Sequence, residues 1–269
     1  MSASGHEERL AGSTARSLPI EVDVSPDVLA KMLARIAEQW SRLGETEPHW
    51  SVLTDDAWRS DKIGQNEEHF YASGRTAADL LSIYEQRGNV SLRRGSCLEL
   101  GCGVGRITVH LARQFERVTA LDISPGNLAV CRERLAREGL TNVECRLVRR
   151  IDDFDRLPQA DVFFSVIALQ HNCPPIQKEI LSRILPNVNA CLFQTITNWP
   201  EYTFRASDYL KFRDEVMELH SLPQHVILDL LAKAGLSVRE VVSDAWVDHY
   251  GSNTFFAVRG ATSPRDTRN

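Results

Sequence analysis

The stretch Cys97-Leu98-Glu99-Leu100-Gly101-Cys102-Gly103-Val104-Gly105 decides how this chain folds: a short apolar strand runs into three alternating glycines. Glycine has no Cβ, so the backbone there can bend sharply and a ligand can lie against bare peptide. Working outward, the apolar run Val118-Thr119-Ala120-Leu121 ends in Asp122. An acidic residue at the tip of a second strand suits the two hydroxyls of a ribose. Strand, glycine turn and acid together specify a nucleoside-bearing cofactor at the mouth of a parallel sheet.

The spacing bears on which nucleoside. The dinucleotide fingerprint is Gly-x-Gly-x-x-Gly, with a helix N-terminus facing a pyrophosphate. Here the third glycine comes one residue early, and Arg106 stands where that fingerprint would place it. Glu99 lies two residues before the first glycine, where a carboxylate repels a pyrophosphate and attracts an ammonium group. S-adenosylmethionine (SAM) has no phosphate; it carries an amino-acid end, a sulfonium and a ribose, and the spacing fits it better.

On these residues the chain resembles the class I SAM-dependent methyltransferases. Their first motif has the form (Glu/Asp)-x-Gly-x-Gly-x-Gly, matched here by Glu99, Gly101, Gly103 and Gly105, and their second ends in an acid, matched by Asp122. The resemblance covers roughly residues 95–259, with its specific motifs between Glu99 and His171. It implies an α/β fold: a Rossmann-like, seven-stranded, mostly parallel sheet, helices on both faces, the last strand antiparallel, in the order 3-2-1-4-5-7-6. It also implies SAM as cofactor, with the backbone of Gly101, Cys102, Gly103 and Gly105 under its methionine and ribose. Asp122 would then meet the ribose and Ile123 the adenine face, with Asn127 and Ser165 as further cofactor residues. Relatives often read the adenine amine with a residue after strand three. Asp152 or Asp153 fills that place here, although Arg149-Arg150 departs from the common Gly-Asp pattern. Relatives also close SAM with an N-terminal aromatic, for which Tyr71 is the candidate.

Periodicity sets the rest. Strands are expected at 96–100, 117–122, 143–148, 160–167, 190–195, 236–243 and 254–258. Helices intervene: Ile107, Leu111 and Phe115 recur at fourfold spacing, and a second helix starts at Ser124-Pro125 and stops at Gly139. Strands alternating with amphipathic helices imply right-handed crossovers and a parallel sheet. Before them, Ser25-Pro26 caps an apolar face of Val28, Leu29, Met32, Leu33, Ile36 and Trp40. A second amphipathic stretch spans 76–86, with an irregular segment at 47–74 between the two, and a helix is expected at about 224–234. The resulting division is a tail at 1–20, a helical cap or lid at 21–90, a SAM-binding domain at 91–260 with an acceptor-side insertion at 196–223, and a tail at 261–269.

Chemistry on the acceptor side rests on Ser165-Val166-Ile167-Ala168-Leu169-Gln170-His171-Asn172, which follows strand four. The apolar strand delivers Gln170 and His171 to the point where SAM presents its methyl group. An imidazole with a reference pKa near ~6.5 can take a proton from a hydroxyl or amine, which makes His171 the candidate base. Orienting a loop or capping the next helix is the other reading of the same residue. Trp199, Tyr202, Phe204, Tyr209 and Phe212 in the insertion, with His220 and His225 beyond, read either as acceptor pocket or as core. His249-Tyr250 is a weaker candidate.

Composition bounds the function classes. The 269 residues are 43% hydrophobic and 25% charged, with net charge −5 and no basic block to track phosphates. Nucleic acid is therefore not the expected main partner. No apolar run approaches the roughly 20 residues that span a bilayer, so no membrane partner is expected. Six cysteines without a Cys-x-x-Cys pair point to a reducing cytoplasm and no metal site. Leu169-Gln170-His171-Asn172-Cys173-Pro174-Pro175, Phe193-Gln194-Thr195 and Ser252-Asn253-Thr254-Phe255 resemble bacterial methyltransferases acting on glycans or secondary metabolites. The resemblance implies a methyltransferase acting on a small organic acceptor in bacterial natural-product or glycan biosynthesis, with oxygen favoured over nitrogen or carbon and a homodimer possible. Three other readings stay open: a non-catalytic SAM-binding scaffold, a protein or RNA methyltransferase, and a nicotinamide dehydrogenase.

Overall fold

Ser96–Leu100 (β1) is apolar because it is central: it pairs in parallel with Arg117–Asp122 (β2) on one side and Ala160–Ser165 (β4) on the other. A strand buried on both faces carries a continuous apolar run rather than an alternating one. The computed structural model describes residues 20–211, 217–247 and 251–260. With Val143–Leu147 (β3), Val188–Ile196 (β5), Leu236–Ser243 (β6) and Ser252–Arg259 (β7), the strands form one sheet in the order β3-β2-β1-β4-β5-β7-β6. β7 runs antiparallel to both neighbours, as the family resemblance implies.

Eight helices accompany the sheet among the described residues: α1 (Pro26–Thr46), α2 (Pro48–Val52), α3 (Ile63–Arg87), α4 (Thr108–Gln114), α5 (Pro125–Arg137), α6 (Pro174–Ile184), α7 (Ala206–Lys211) and α8 (Gln224–Lys233). α5 starts where the sequence predicts: the Ser124 hydroxyl accepts from the Asn127 N–H at 3.2 Å and Pro125 occupies the first turn. The sheet core stacks aromatic rings between strands, with Phe193 parallel to Phe255 at 5.3 Å.

The largest departure from expectation is α3, which begins at Ile63 rather than near Thr76, so much of the 47–74 stretch is helical. Tertiary packing overrides local propensity there. Phe70 and Tyr71 are fully buried, and Glu68 and Glu67 pair with Arg134 and Arg137 on α5 at 2.7 and 2.5 Å. Gly74 is needed inside this helix. A Cβ at that position would lie 2.0 Å from the carbonyl oxygen of Arg106, so only glycine lets α3 rest on the glycine turn.

α1 crosses α5 by a similar device. A Cβ on Gly44 would sit 2.1 Å from the Ser124 Oγ, and one on Gly126 would sit 2.6 Å from the Gly44 carbonyl oxygen. Two bare backbones meet, which fixes α1 across the carboxyl ends of the strands. Both expected tails extend into the undescribed ends of the chain, and Phe212, His249 and Tyr250 also lie outside the described residues. No helix among the described residues is long and apolar enough to cross a membrane.

Candidate active site

The glycine turn opens at the carboxyl end of β1, where the sheet's strand order reverses between β1 and β4. Ligands of open α/β sheets bind at such a switch point. Gly101 and Gly103 have φ of +75° and +53°, in the region that side chains rarely adopt. Both also face close neighbours: a Cβ on Gly101 would be 2.2 Å from the Ala168 Cβ, and one on Gly103 would be 2.5 Å from the Val52 Cγ2. The turn is thus wedged between the loop after β4 and α2.

Asp122 ties the turn to α5. Its carboxylate accepts from the Gly103 N–H and the Ser124 N–H, both at 2.8 Å. Burial raises its pKa, and the N–H groups of Ser124, Gly103 and Ile123 pull it back. Three donors leave about one of the carboxylate's four acceptor sites for a further donor.

Together these elements line a crevice. Its floor and rim include Gly101, Cys102, Gly103, Asp122, Ile123 and Asn127. Leu33, Ile36 and Trp40 of α1 and Ser51 and Val52 of α2 roof it, while Ile167, Ala168, His171 and Asn172 close its far end. Only about 90 Å³ is open to the centre of a water molecule, so it is a narrow slot. A second, wider hollow beside the N-terminal half of α1 shares Leu33 with it. Two of its three arginines, Arg150 and Arg183, are paired with Asp152 and with Asp155 and Glu179.

Two buried charges of opposite sign flank the turn. Glu99 is 3% exposed and burial pushes its pKa up to about 7, with Thr108 and Arg106 acting against the rise. Arg106 is 4% exposed, lines the crevice, and is lowered to about 10, again by burial. Glu99 Oε2, Arg106 Nε and Asn127 Oδ1 are buried without a hydrogen-bond partner in the protein. Orphaned buried polar atoms cost about 1–3 kcal/mol each, and two of these, on the slot-lining Arg106 and Asn127, call for a polar ligand. Their chemistry fits the amino-acid end of SAM, whose ammonium and carboxylate are opposite in sign to Glu99 and Arg106.

At the far end, the His171 Nδ1–H donates to the Glu218 carbonyl oxygen at 3.1 Å, and the ring meets Trp40 edge-on at 5.0 Å. A carbonyl only accepts, so the proton sits on Nδ1 and Nε2 keeps its lone pair. Burial lowers this imidazole to about 4, so it is neutral at pH 7. Ile167 beside it has φ +56°, an uncommon conformation for a β-branched residue, worth ~1–3 kcal/mol of strain. The Ile167 N–H donates to the Gln194 Oε1 at 2.8 Å, which holds that shape.

The other predicted site residues lie nearby but off the crevice wall. The Tyr71 hydroxyl donates to the Val104 carbonyl at 3.0 Å, bracing the glycine turn from outside. The Ser165 hydroxyl donates to the Leu100 carbonyl at 3.1 Å. Gly105 faces Cys131 of α5, Asp152 pairs with Arg150 and Arg156, and Gln170 is fully buried with both amide atoms unpartnered. Sequence reasoning missed Leu33, Ile36 and Trp40 as crevice residues. Their helical spacing was visible, but it reads identically whether the apolar face covers core or cofactor.

Comparisons with known proteins agree with this geometry. Residues 97–192 match the family described as a methyltransferase domain.

Over residues 97–192 the chain carries a methyltransferase domain.

A magnesium protoporphyrin IX methyltransferase from Synechocystis PCC 6803, solved with bound SAM, is similar in fold. Its TM-score is 0.55 at 14% identity, over 89% of this chain and 100% of that one. A SAM-dependent methyltransferase from Clostridium acetobutylicum ATCC 824 aligns with a TM-score of 0.52 at 16% identity, over 69% of this chain and 91% of that one. In sequence, a tRNA/tmRNA (uracil-C(5))-methyltransferase from a Nitratiruptor species is 33% identical over 78 residues. That stretch is 26% of this chain, and the chain spans about a fifth (22%) of that relative's length.

Proposed function

We propose that this protein transfers a methyl group from SAM to a small organic acceptor, with a hydroxyl oxygen as the favoured target. The observation that carries the reading is the slot lined by the orphaned Arg106 and Asn127 along a turn of bare peptide, with the buried, orphaned Glu99 two residues before its first glycine. In this reading Glu99 attracts the ammonium of SAM, Arg106 its carboxylate and Asp122 the ribose hydroxyls, while Ile123 packs on the adenine. SAM supplies a methyl carbon already activated by a sulfonium.

The protein's own part is then positioning and exclusion of water, which can account for up to ~7–11 kcal/mol of a barrier. Leu33, Ile36, Trp40 and Val52 roof the slot against solvent. His171 offers Nε2 to the acceptor's hydroxyl proton. As a neutral imidazole of low basicity it chiefly orients that group, since strong general bases have pKa values near the working pH. The narrow, lidded slot favours a small acceptor over a macromolecule.

Incubating the protein with methyl-labelled SAM and separate pools of small metabolites, RNA and protein tests this. Label in the small-molecule pool is expected. Label confined to RNA or protein would replace the acceptor class, and no label despite cofactor binding would favour a non-catalytic scaffold.

A further inference from the structure

Beyond the slot, the side chains around His171 form a second, connected cluster that cofactor binding does not require. The Glu218 carbonyl oxygen accepts from His171, and its carboxylate forms an ion pair with Arg35 on the lid helix α1. Both side chains of that pair are nearly buried, with 11% and 14% exposure, so solvent screens it little. Glu218 Oε2 also meets the Nε2 of His220 at 3.4 Å, and the Nδ1 of His220 lies 2.7 Å from the Tyr202 hydroxyl. Arg35 is further held over the ring of Tyr209, 4.0 Å from its centroid.

Glu218 lies in an irregular stretch, residues 217–220, outside any helix or strand. Its carbonyl is therefore not placed by a ladder of backbone hydrogen bonds. What fixes it is the flanking backbone bond, in which the His220 N–H donates to the Gln170 carbonyl at 2.8 Å, together with the contacts of the Glu218 carboxylate to Arg35, His220 and the Tyr209 hydroxyl. Arg35 belongs to the same helix as Leu33, Ile36 and Trp40, which roof the slot. The seat of the lid and the orientation of His171 are thus mechanically joined.

We propose that Glu218 is a positioning residue for His171, and that Arg35 makes this positioning depend on closure of the lid helix over the slot. Glu218 divides the tautomers of two histidines. Its carbonyl takes the proton of His171 on Nδ1, leaving Nε2 as the acceptor. Its carboxylate faces Nε2 of His220 and takes the proton there, while the Tyr202 hydroxyl faces Nδ1. The two imidazoles should therefore be locked in opposite forms while α1 is seated. The proposal rests on the reading of His171 as the acceptor-facing group, although the tautomers can be observed without any acceptor.

The test is nitrogen NMR of the full chain labelled with 15N-histidine and saturated with S-adenosylhomocysteine, at pH 7.5, with His171→Gln and His220→Gln assigning the two signals. The wild type should show His171 as Nδ1–H and His220 as Nε2–H. Arg35→Met and Glu218→Gln should turn the His171 signal into a mixture, with affinity for S-adenosylhomocysteine changed less than about threefold, and Arg35→Lys should restore the single form. If Arg35→Met does not fold, Glu218→Gln alone decides. A wild-type His171 protonated on Nε2, or a His171 signal that stays purely Nδ1–H in the folded variants, overturns the proposal. Loss of S-adenosylhomocysteine binding by the wild type would instead overturn the functional reading.

Discussion

The two ends of the slot are built from different materials. At the cofactor end, backbone does most of the holding: Gly101, Gly103, the N–H groups that Asp122 gathers, and the capped start of α5. At the His171 end, side chains from three distant segments converge: Trp40 and Arg35 from α1, His171 from the loop after β4, and Glu218 and His220 from the stretch before α8. A backbone cradle is tied to the sheet, so it is rigid and its residue spacing is dictated. A side-chain pocket is set by how separate elements pack, so it can change chemistry without changing the fold.

Substitutions can break this contrast, and the largest effect should come from the frame. Gly74→Ala forces a Cβ against the Arg106 carbonyl, where neither helix nor turn has room to yield. A stability loss of about 3 kcal/mol is expected, read as a lowered midpoint in urea, because overpacking against backbone sits at the upper end of such costs. A midpoint within the error of the wild type would show that α3 does not bear on the turn.

Next comes Asp122→Ala, which frees the Gly103 and Ser124 N–H groups and removes the ribose acceptor of the proposed complex. Affinity for S-adenosylhomocysteine should fall about 100-fold, or ~2.8 kcal/mol. His171→Gln should act on the other end only. Turnover should drop about tenfold, ~1.4 kcal/mol, while cofactor affinity stays within a few-fold. A 100-fold or larger loss of turnover would instead mark His171 as a full general base.

The smallest effect sharpens the contrast by pH. The folded Glu99 carboxyl, near 7, lies above its ordinary value of 4.5. Between those two values the folded protein holds a proton that the unfolded chain has released. Its contribution to stability therefore falls as pH rises through that window, and the penalty is complete above it. Cofactor affinity should move the other way, rising less than tenfold from pH 6 to 8 as the ammonium meets an ionised partner. Glu99→Gln should flatten both trends. His171, near 4, should leave turnover at saturating SAM flat over the same range. A wild-type affinity independent of pH would place the ammonium elsewhere.

The same contrast explains what could be read from the chain beforehand. β1, β2 and β6 begin and end where the apolar runs predict, and the glycine turn and Asp122 fall into place, because each is dictated by local spacing. α3 was legible only in its second half, since its first turns are held by Arg134 and Arg137, more than 60 residues away. Strained Ile167 carries no local sign either: its backbone follows from a bond to Gln194 on a neighbouring strand. Trp40 and Glu218 join the site only through the crossing of α1 over α5 and the return of the chain after α7.

The most direct test of the central claim is calorimetric titration of the purified protein with S-adenosylhomocysteine, repeated in the presence of excess NAD. One molecule bound per chain at micromolar concentration, unaffected by NAD, is the expected result. No binding at millimolar concentration, or displacement by NAD, would contradict a slot shaped for a phosphate-free, zwitterionic nucleoside.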